Sequence, residues 1–231
     1  MLGVIVNSAL VILGTLIGCL IKKGLSQKIC DAAMLGVGAS TIAIAIPGIV
    51  KINNTLAVIL AIVLGYVLGT LIDIDKFLNI LGQKLENSLN KNGKSSPIAQ
   101  GFINATLLFC VGAMAVVGSL NSGISGDHST LFAKSVLDMI SSVMFAASFG
   151  IGVIFASVSV FVYQGAIVLL AGFIAPLLTA NAVADLTSTG SVLILLLSFN
   201  LLGITKIKLA NFLPALLLSP LFTWLLTLLN I

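Results

Sequence analysis

A chain of 231 residues with 8% charged and 59% hydrophobic side chains, at a mean hydropathy of +1.23, is excluded from the water-soluble globular class. Its net charge of +4 comes from lysine alone, placed next to apolar runs, a pattern that marks membrane topology and argues against a nucleic-acid surface. Cys19, Cys30 and Cys110 form no CxxC pair and read as small packing residues, with neither a disulfide framework nor a zinc site.

Taken in chain order, apolar runs long enough to cross about 30 Å of hydrocarbon as helices fall near residues 3–21, 32–50, 55–73, 98–120, 136–156, 158–178, 187–204 and 209–229. The expected fold is therefore all-α, a polytopic membrane helix bundle of about eight spans in a single integral membrane domain, 1–231. The runs are continuous, which disfavours the alternation of a barrel strand. The first run lacks the preceding positive residue of a cleavable signal and ends at Lys22-Lys23, so it is expected to stay as an anchor. An amino terminus outside puts nine lysines in inner loops and only Lys51 and Lys134 outside, with both termini, Asp127, His128 and Asp185 on the outer face.

Between the third and fourth runs, Ile74, Phe77, Leu78, Leu81, Leu85 and Leu89 share one helical face. This predicts an amphipathic surface helix at about 75–91, ended by Asn92 to Pro97. Setting Gly36 on Gly190 pairs Asp31 with Asp185, and spans one to three begin on the side opposite to spans six to eight. The triplets thus fit an inverted repeat, an arrangement that builds many secondary carriers around a midplane site. Small residues at four-residue spacing, Gly14 with Gly18 and Gly65 with Gly69, predict close helix packing, either within the chain or in a homo-oligomer.

The stretch Gly112 to Asp138 is the strongest polar interruption. Its glycines at 112, 118, 123 and 126 predict unwound backbone lining a wet cavity, with a flexible outer hairpin as the alternative. Lys134 and Asp138 stand at i and i+4 and can pair. Asp138, at the start of the fifth run, either caps that helix or handles a cation or proton. The His128 imidazole beside the Asp127 carboxylate is a candidate to gate or carry protons. The intramembrane amides Asn7, Asn104, Gln164 and Asn200 need partners and together could line a path. Pro47, Pro176, Pro214 and Pro220 are candidate kinks.

Enzyme chemistry is disfavoured. Gly123 to Gly126 spells the GxSG of rhomboid proteases, yet the lone histidine, His128, lies three positions along the same loop rather than on a distant helix. No phosphate loop, HExxH or paired metal ligands occur, so no cofactor is expected, and whether a metal binds is left open.

The run from Gly101 to Asp138, with its GxxGDHSxLxxKSxLD core, together with FGIGV, YQGAIVLL, an early NxxxxxxGTLIG and a late KIKLANFLPAL, resembles an uncharacterised bacterial inner-membrane family that includes YdfK and YqgA. The resemblance covers nearly the whole chain. It implies a multi-pass protein of the cytoplasmic membrane, described as a candidate transport protein without an established substrate. It also implies importance for Gly126, Asp127, His128, Lys134, Ser135, Asp138, Gln164 and Gly165. The leading expectation is a transporter or channel for a small ion, a cation before others, or a small polar solute. Its pathway would run past Asp127, His128, Lys134, Ser135, Asp138, Gln164, Asn104 and Asn200, with the lipid bilayer as the other partner. The alternative is a non-transporting scaffold or sensor working through the inner amphipathic helix.

Overall fold

Lipid leaves backbone N–H and C=O groups no partner outside the chain, so apolar runs close their hydrogen bonds internally as helices. The computed structural model describes residues 1–22, 27–89, 98–110, 113–174 and 178–229, and these are helical, with no strand among them. The helices are α1 (Leu2–Lys22), α2 (Gln27–Ile49), α3 (Thr55–Ile72), α4 (Ile74–Leu89), α5 (Ile98–Cys110), α6 (Ala113–Ile124), α7 (Ser129–Phe149), α8 (Ala156–Leu169), the short α9 (Ala171–Ile174), α10 (Ala180–Leu201) and α11 (Leu213–Leu228). Single 3-10 segments, Ile151–Phe155 and Leu209–Phe212, lead into α8 and α11.

Six of these helices, counting each 3-10 lead-in with its helix, are long and apolar enough to cross a membrane. The number rises to seven if α5 and α6 form one span. They meet at 59° across residues 111 and 112, which lie outside the described residues. The apolar part of α2, Leu35–Ile49, is shorter. Side chains such as Leu13, Ile17, Val63, Val67, Leu137, Ile140 and Leu217 face outward, as a lipid-facing exterior requires. This is a multi-pass membrane architecture.

Local chemistry sets the boundaries. Asn54 accepts from Ala57 N (3.1 Å) to start α3, and Thr179 accepts from Ala182 N (3.2 Å) to start α10. Asp73 ends α3 in the left-handed region at φ 55°, its N–H returning to Gly69 and Thr70 carbonyls. Pro214 occupies the first turn of α11, where no N–H is needed, and Pro47 the last turn of α2, whereas Pro220 lies inside α11. Pro176 and the 92–97 segment fall outside the described residues.

Close packing is made within the chain. A Cβ on Gly14 or Gly18 would collide with the carbonyls of Met139 and Val143, and Lys22 Nζ donates to Ser148 O at 2.8 Å, so α1 and α7 run side by side in the same direction. Gly65 meets Ala215 and Gly69 meets Asn211, so α3 and α11 run antiparallel. α2 and α10 are antiparallel as well, with Ser188 Oγ donating to Gly48 O (2.9 Å) and Ser198 Oγ to Gly38 O. A core of Phe109, Phe145, Phe149, Val11, Val153 and Leu197 fills the centre, with ring centroids 6.3 Å and 5.8 Å apart along the aromatic row.

Three expectations are corrected here. The interval 113–124 is a helix, not unwound backbone: its small residues face neighbouring helices, Gly118 against Leu131 and Gly123 against Ala171, and residues 125–128 leave the helix, with Gly126 at φ +70°, whereas Gly112 lies outside the described residues. The helix after it begins at Ser129 instead of 136, which puts Asp138 nine residues inside the helix and removes its capping role. Counting apolar residues starts α7 late because Ser129 to Asp138 carries polar side chains, of which Lys134, Ser135 and Asp138 turn inward. Lys134 is therefore a buried helix residue and not a loop charge; Asp185 is fully buried in α10 beside the turn that enters α3.

Candidate functional site in the bundle interior

Because α1 has Gly14 and Gly18 against α7, its polar face is pressed onto the inward face of that helix. Lys134 and Asp138 occupy this face at 5% and 7% exposure and form an ion pair with each other. Asp138 lies nine residues, roughly 13 Å along the axis at 1.5 Å per residue, from the start of a 21-residue helix, close to the middle of the span. Asn7 of α1 donates Nδ2 to Gln164 Oε1 of α8 at 3.2 Å, and the same amide faces the Asp138 carboxylate. Cys110, at the end of α5, is buried within electrostatic reach of both charges.

An ion pair in such a place is held against desolvation. Removing two charges from water costs several kcal/mol each, and the pair survives only where hydrogen bonds complete it. Here they are incomplete. Asn7 Oδ1, Gln164 Nε2, Ser8 Oγ and Ser119 Oγ are buried with no partner among the described residues, although native interiors satisfy nearly all such atoms. Ser135 and Ser142 donate to the carbonyls one turn back, Leu131 (2.6 Å) and Asp138 (2.7 Å), so their hydroxyls are already engaged.

The rim formed by the turn before α7 is separate. Asp127 is exposed and accepts from Ser129 N at 2.9 Å, in a turn that leads into α7 from the residue before its N-cap, His128, and this backbone bond holds its carboxyl below the ordinary value. His128 Nδ1 lies 2.9 Å from Ser122 Oγ and its ring meets Phe132 edge-on at 5.9 Å, whereas Ser125 Oγ donates to Asn121 O at 2.8 Å. The GxSG serine and the histidine are thus not partners.

At the opposite end, Asp75 and Asn79 of α4, Gln100 and Asn104 of α5, Asn200 of α10, and Ile207 and Leu209 line a cavity of about 420 Å³. From Asn104, α5 continues six residues to Cys110, about 9 Å deeper. The eight residues singled out from sequence therefore fall into three places: Lys134, Ser135, Asp138 and Gln164 in the interior, Asn104 and Asn200 at the cavity, and Asp127 and His128 on the rim.

A family model described as "Protein of unknown function (DUF554)" matches residues 2–224. The chain belongs to the DUF554 family. It is 32% identical to the "Uncharacterized membrane protein YdfK" of Bacillus subtilis (strain 168), over 95% of this chain and 94% of that protein. It is also 32% identical to the "Uncharacterized protein YqgA" of Escherichia coli (strain K12), over 94% of each. No solved structure matches it.

In this DUF554 chain the sequence reading missed one buried polar constellation. Asp185 accepts from the N–H groups of Asn53 and Asn54 and from Thr223 Oγ1, each at 2.8 Å, while Thr189 Oγ1 donates to Ser219 Oγ at 3.0 Å alongside. An acid inside a helical pattern was the available signal; its partners, in two other elements, carry none. Among the described residues no group of three or more His, Cys, Asp or Glu is placed to hold a metal.

Proposed function

We propose that this protein is a transporter or channel for a small cation, or a small polar solute bearing one, in the bacterial cytoplasmic membrane. The observation that carries the reading is the buried Lys134–Asp138 pair beside amides with unpartnered atoms near the middle of the bundle. Charges at that depth are costly and mark ion or solute pathways. Lys134 acts as a resident counter-ion for Asp138. A passing cation takes its place at the carboxylate, and the free atoms of Asn7 and Gln164 supply the compensating hydrogen bonds.

Packing supports the inverted-repeat part of the proposal. α1 lies antiparallel to α8, with Lys22 near Gly150 and Met1 near Gly165, and α2 with α10 and α3 with α11 do the same. Those are the pairs that a half-turn about an axis in the membrane plane would relate. Counting α2 and the bent α5–α6 pair as crossings gives eight spans, with the lysine-rich end cytoplasmic and both termini outside.

The test is flux of protons, sodium and potassium into proteoliposomes. The expected result is uptake of at least one cation by the native protein and its loss in Asp138→Asn. Because that variant strands Lys134, the pair Lys134→Met with Asp138→Leu is measured beside it. A folded double variant with native flux, or a native protein silent for all these ions and for small polar solutes, overturns the proposal.

A further inference from the structure

The cavity at the lysine-rich end is built for more than water. Its volume of about 420 Å³ lies within the range of small-molecule sites, roughly 300–1,000 Å³. Among the described residues Asp75 is the one formally charged group lining it, and the structure fixes that residue twice. Asn211 Oδ1 accepts from the Asp75 N–H at 2.8 Å, and Asn79 Nδ2 donates to Asp75 Oδ2 at 2.9 Å, which leaves Oδ1 open. Asn200 shapes the wall without offering itself: its Oδ1 accepts from Thr205 Oγ1 (2.7 Å) and Ile207 N (2.9 Å), and its Nδ2 donates to Ile207 O (2.7 Å).

Gln100 and Asn104 differ. Neither amide has a hydrogen-bond partner among the described residues, although Asn104 is only 7% exposed and lines the cavity. Gln100 is exposed and the Asn104 amide opens onto the cavity, so both amides stand available to a polar group that enters it. A carboxylate oxygen and two amide oxygens are three acceptors, and an ammonium group offers three donors and one positive charge. One carboxylate is a poor match for a divalent metal, which gathers several charged oxygens. Lys208 stands within electrostatic reach of Asp75, but it is exposed and lies 3.8 Å from Asp73.

We propose that this cavity binds the ammonium group of a small polar molecule through Asp75, Gln100 and Asn104. The proposal rests on the transport reading for its purpose, as the cytoplasmic vestibule to the Lys134–Asp138 pair, but not for its existence.

The test needs no flux. With Cys19, Cys30 and Cys110 replaced by alanine, Asn104→Cys is labelled in detergent by ethylammonium and by sulfonatoethyl methanethiosulfonate, each rate divided by that with free cysteine. The expected result is a preference for the cationic reagent on the order of tenfold, which Asp75→Asn abolishes. Gln100→Cys provides the same readout should the first variant fail to fold. Equal rates for the two reagents, faster reaction with the anion, or no labelling at either position overturns the proposal. An ammonium group can arrive on a free solute or on a phosphatidylethanolamine headgroup. Repeating the labelling in bilayers with and without that lipid separates them: slower labelling only with it assigns the headgroup, equal rates the free solute. Cationic preference in a flux-silent protein would leave the site standing and remove only the transport reading.

Discussion

Two buried carboxylates in this bundle have opposite surroundings. Asp185 is fully buried and receives two backbone N–H groups and a hydroxyl, all at 2.8 Å, from α11 and from the turn that enters α3. Asp138, also buried, is held by a lysine on its own helix and faces an amide pair whose other polar atoms have no partner among the described residues. Backbone donors cannot swing away, so Asp185 fastens three segments together. A lysine side chain can, so Asp138 is the carboxylate able to change partners. Burial of an acid is thus no guide to its role; the mobility of what satisfies it is.

Removing Asp138 breaks this comparison most sharply. Asp138→Ala leaves Lys134 charged and unpaired in the interior and is expected to cost about 3–5 kcal/mol of stability, read as the shift of the unfolding midpoint in detergent. Lys134→Met combined with Asp138→Leu is expected to recover most of that loss, since apolar replacement of a buried pair is neutral or stabilising. A double variant as unstable as the single one would mean that the pair is structural cement, like Asp185.

Asp185→Ala is expected to cost about 1.5–3 kcal/mol, the value of hydrogen bonds to a charged group, because Asn53 N, Asn54 N and Thr223 Oγ1 lose their acceptor together. No lysine stands beside it to be rescued, so no second substitution of that kind restores it. Flux per folded molecule is expected to be unchanged. A flux loss exceeding the loss of folded protein would move Asp185 from the fastening class to the pathway.

How far these differences were legible in the sequence depended on whether partners lay close in the chain. The pairing of Lys134 with Asp138 could be read from four-residue spacing, and Gly14, Gly18, Gly65 and Gly69 announced the close helix contacts. α1 and α3 were placed to within a few residues because their apolar runs are uninterrupted. α7 was started seven residues late, since a polar face turned inward resembles a loop when only hydropathy is counted, and Asp138 then looked like a cap. The carboxylate that does meet the N–H at the start of α7 is Asp127. The bonds from Asn53 and Asn54 to Asp185 join elements more than a hundred residues apart, and the meeting of Asp75, Gln100 and Asn200 around one cavity joins three separate helices; no period or motif records either.

The rim acids extend the contrast to groups that titrate. The Asp127 carboxyl is held below its ordinary value by the Ser129 N–H, whereas burial pushes Asp75 above it. The two signs are opposite. Asp127 contributes stability that is fully present above the unfolded carboxylate value, about 3.9, and is lost as pH falls through its lower folded value. Asp75 contributes stability that is present below that unfolded value and is lost as pH rises through its raised folded value. Unfolding midpoints measured from strongly acid to neutral pH should therefore show Asp127→Asn with a shallower decline on the acid side of about pH 4. Asp75→Asn should lack a decline on the other side. Asparagine keeps an oxygen for the Ser129 N–H, so the change at position 127 removes charge without removing that hydrogen bond. Identical pH profiles for Asp127→Asn and the native protein would show that the neutral hydrogen bond alone holds the turn before α7.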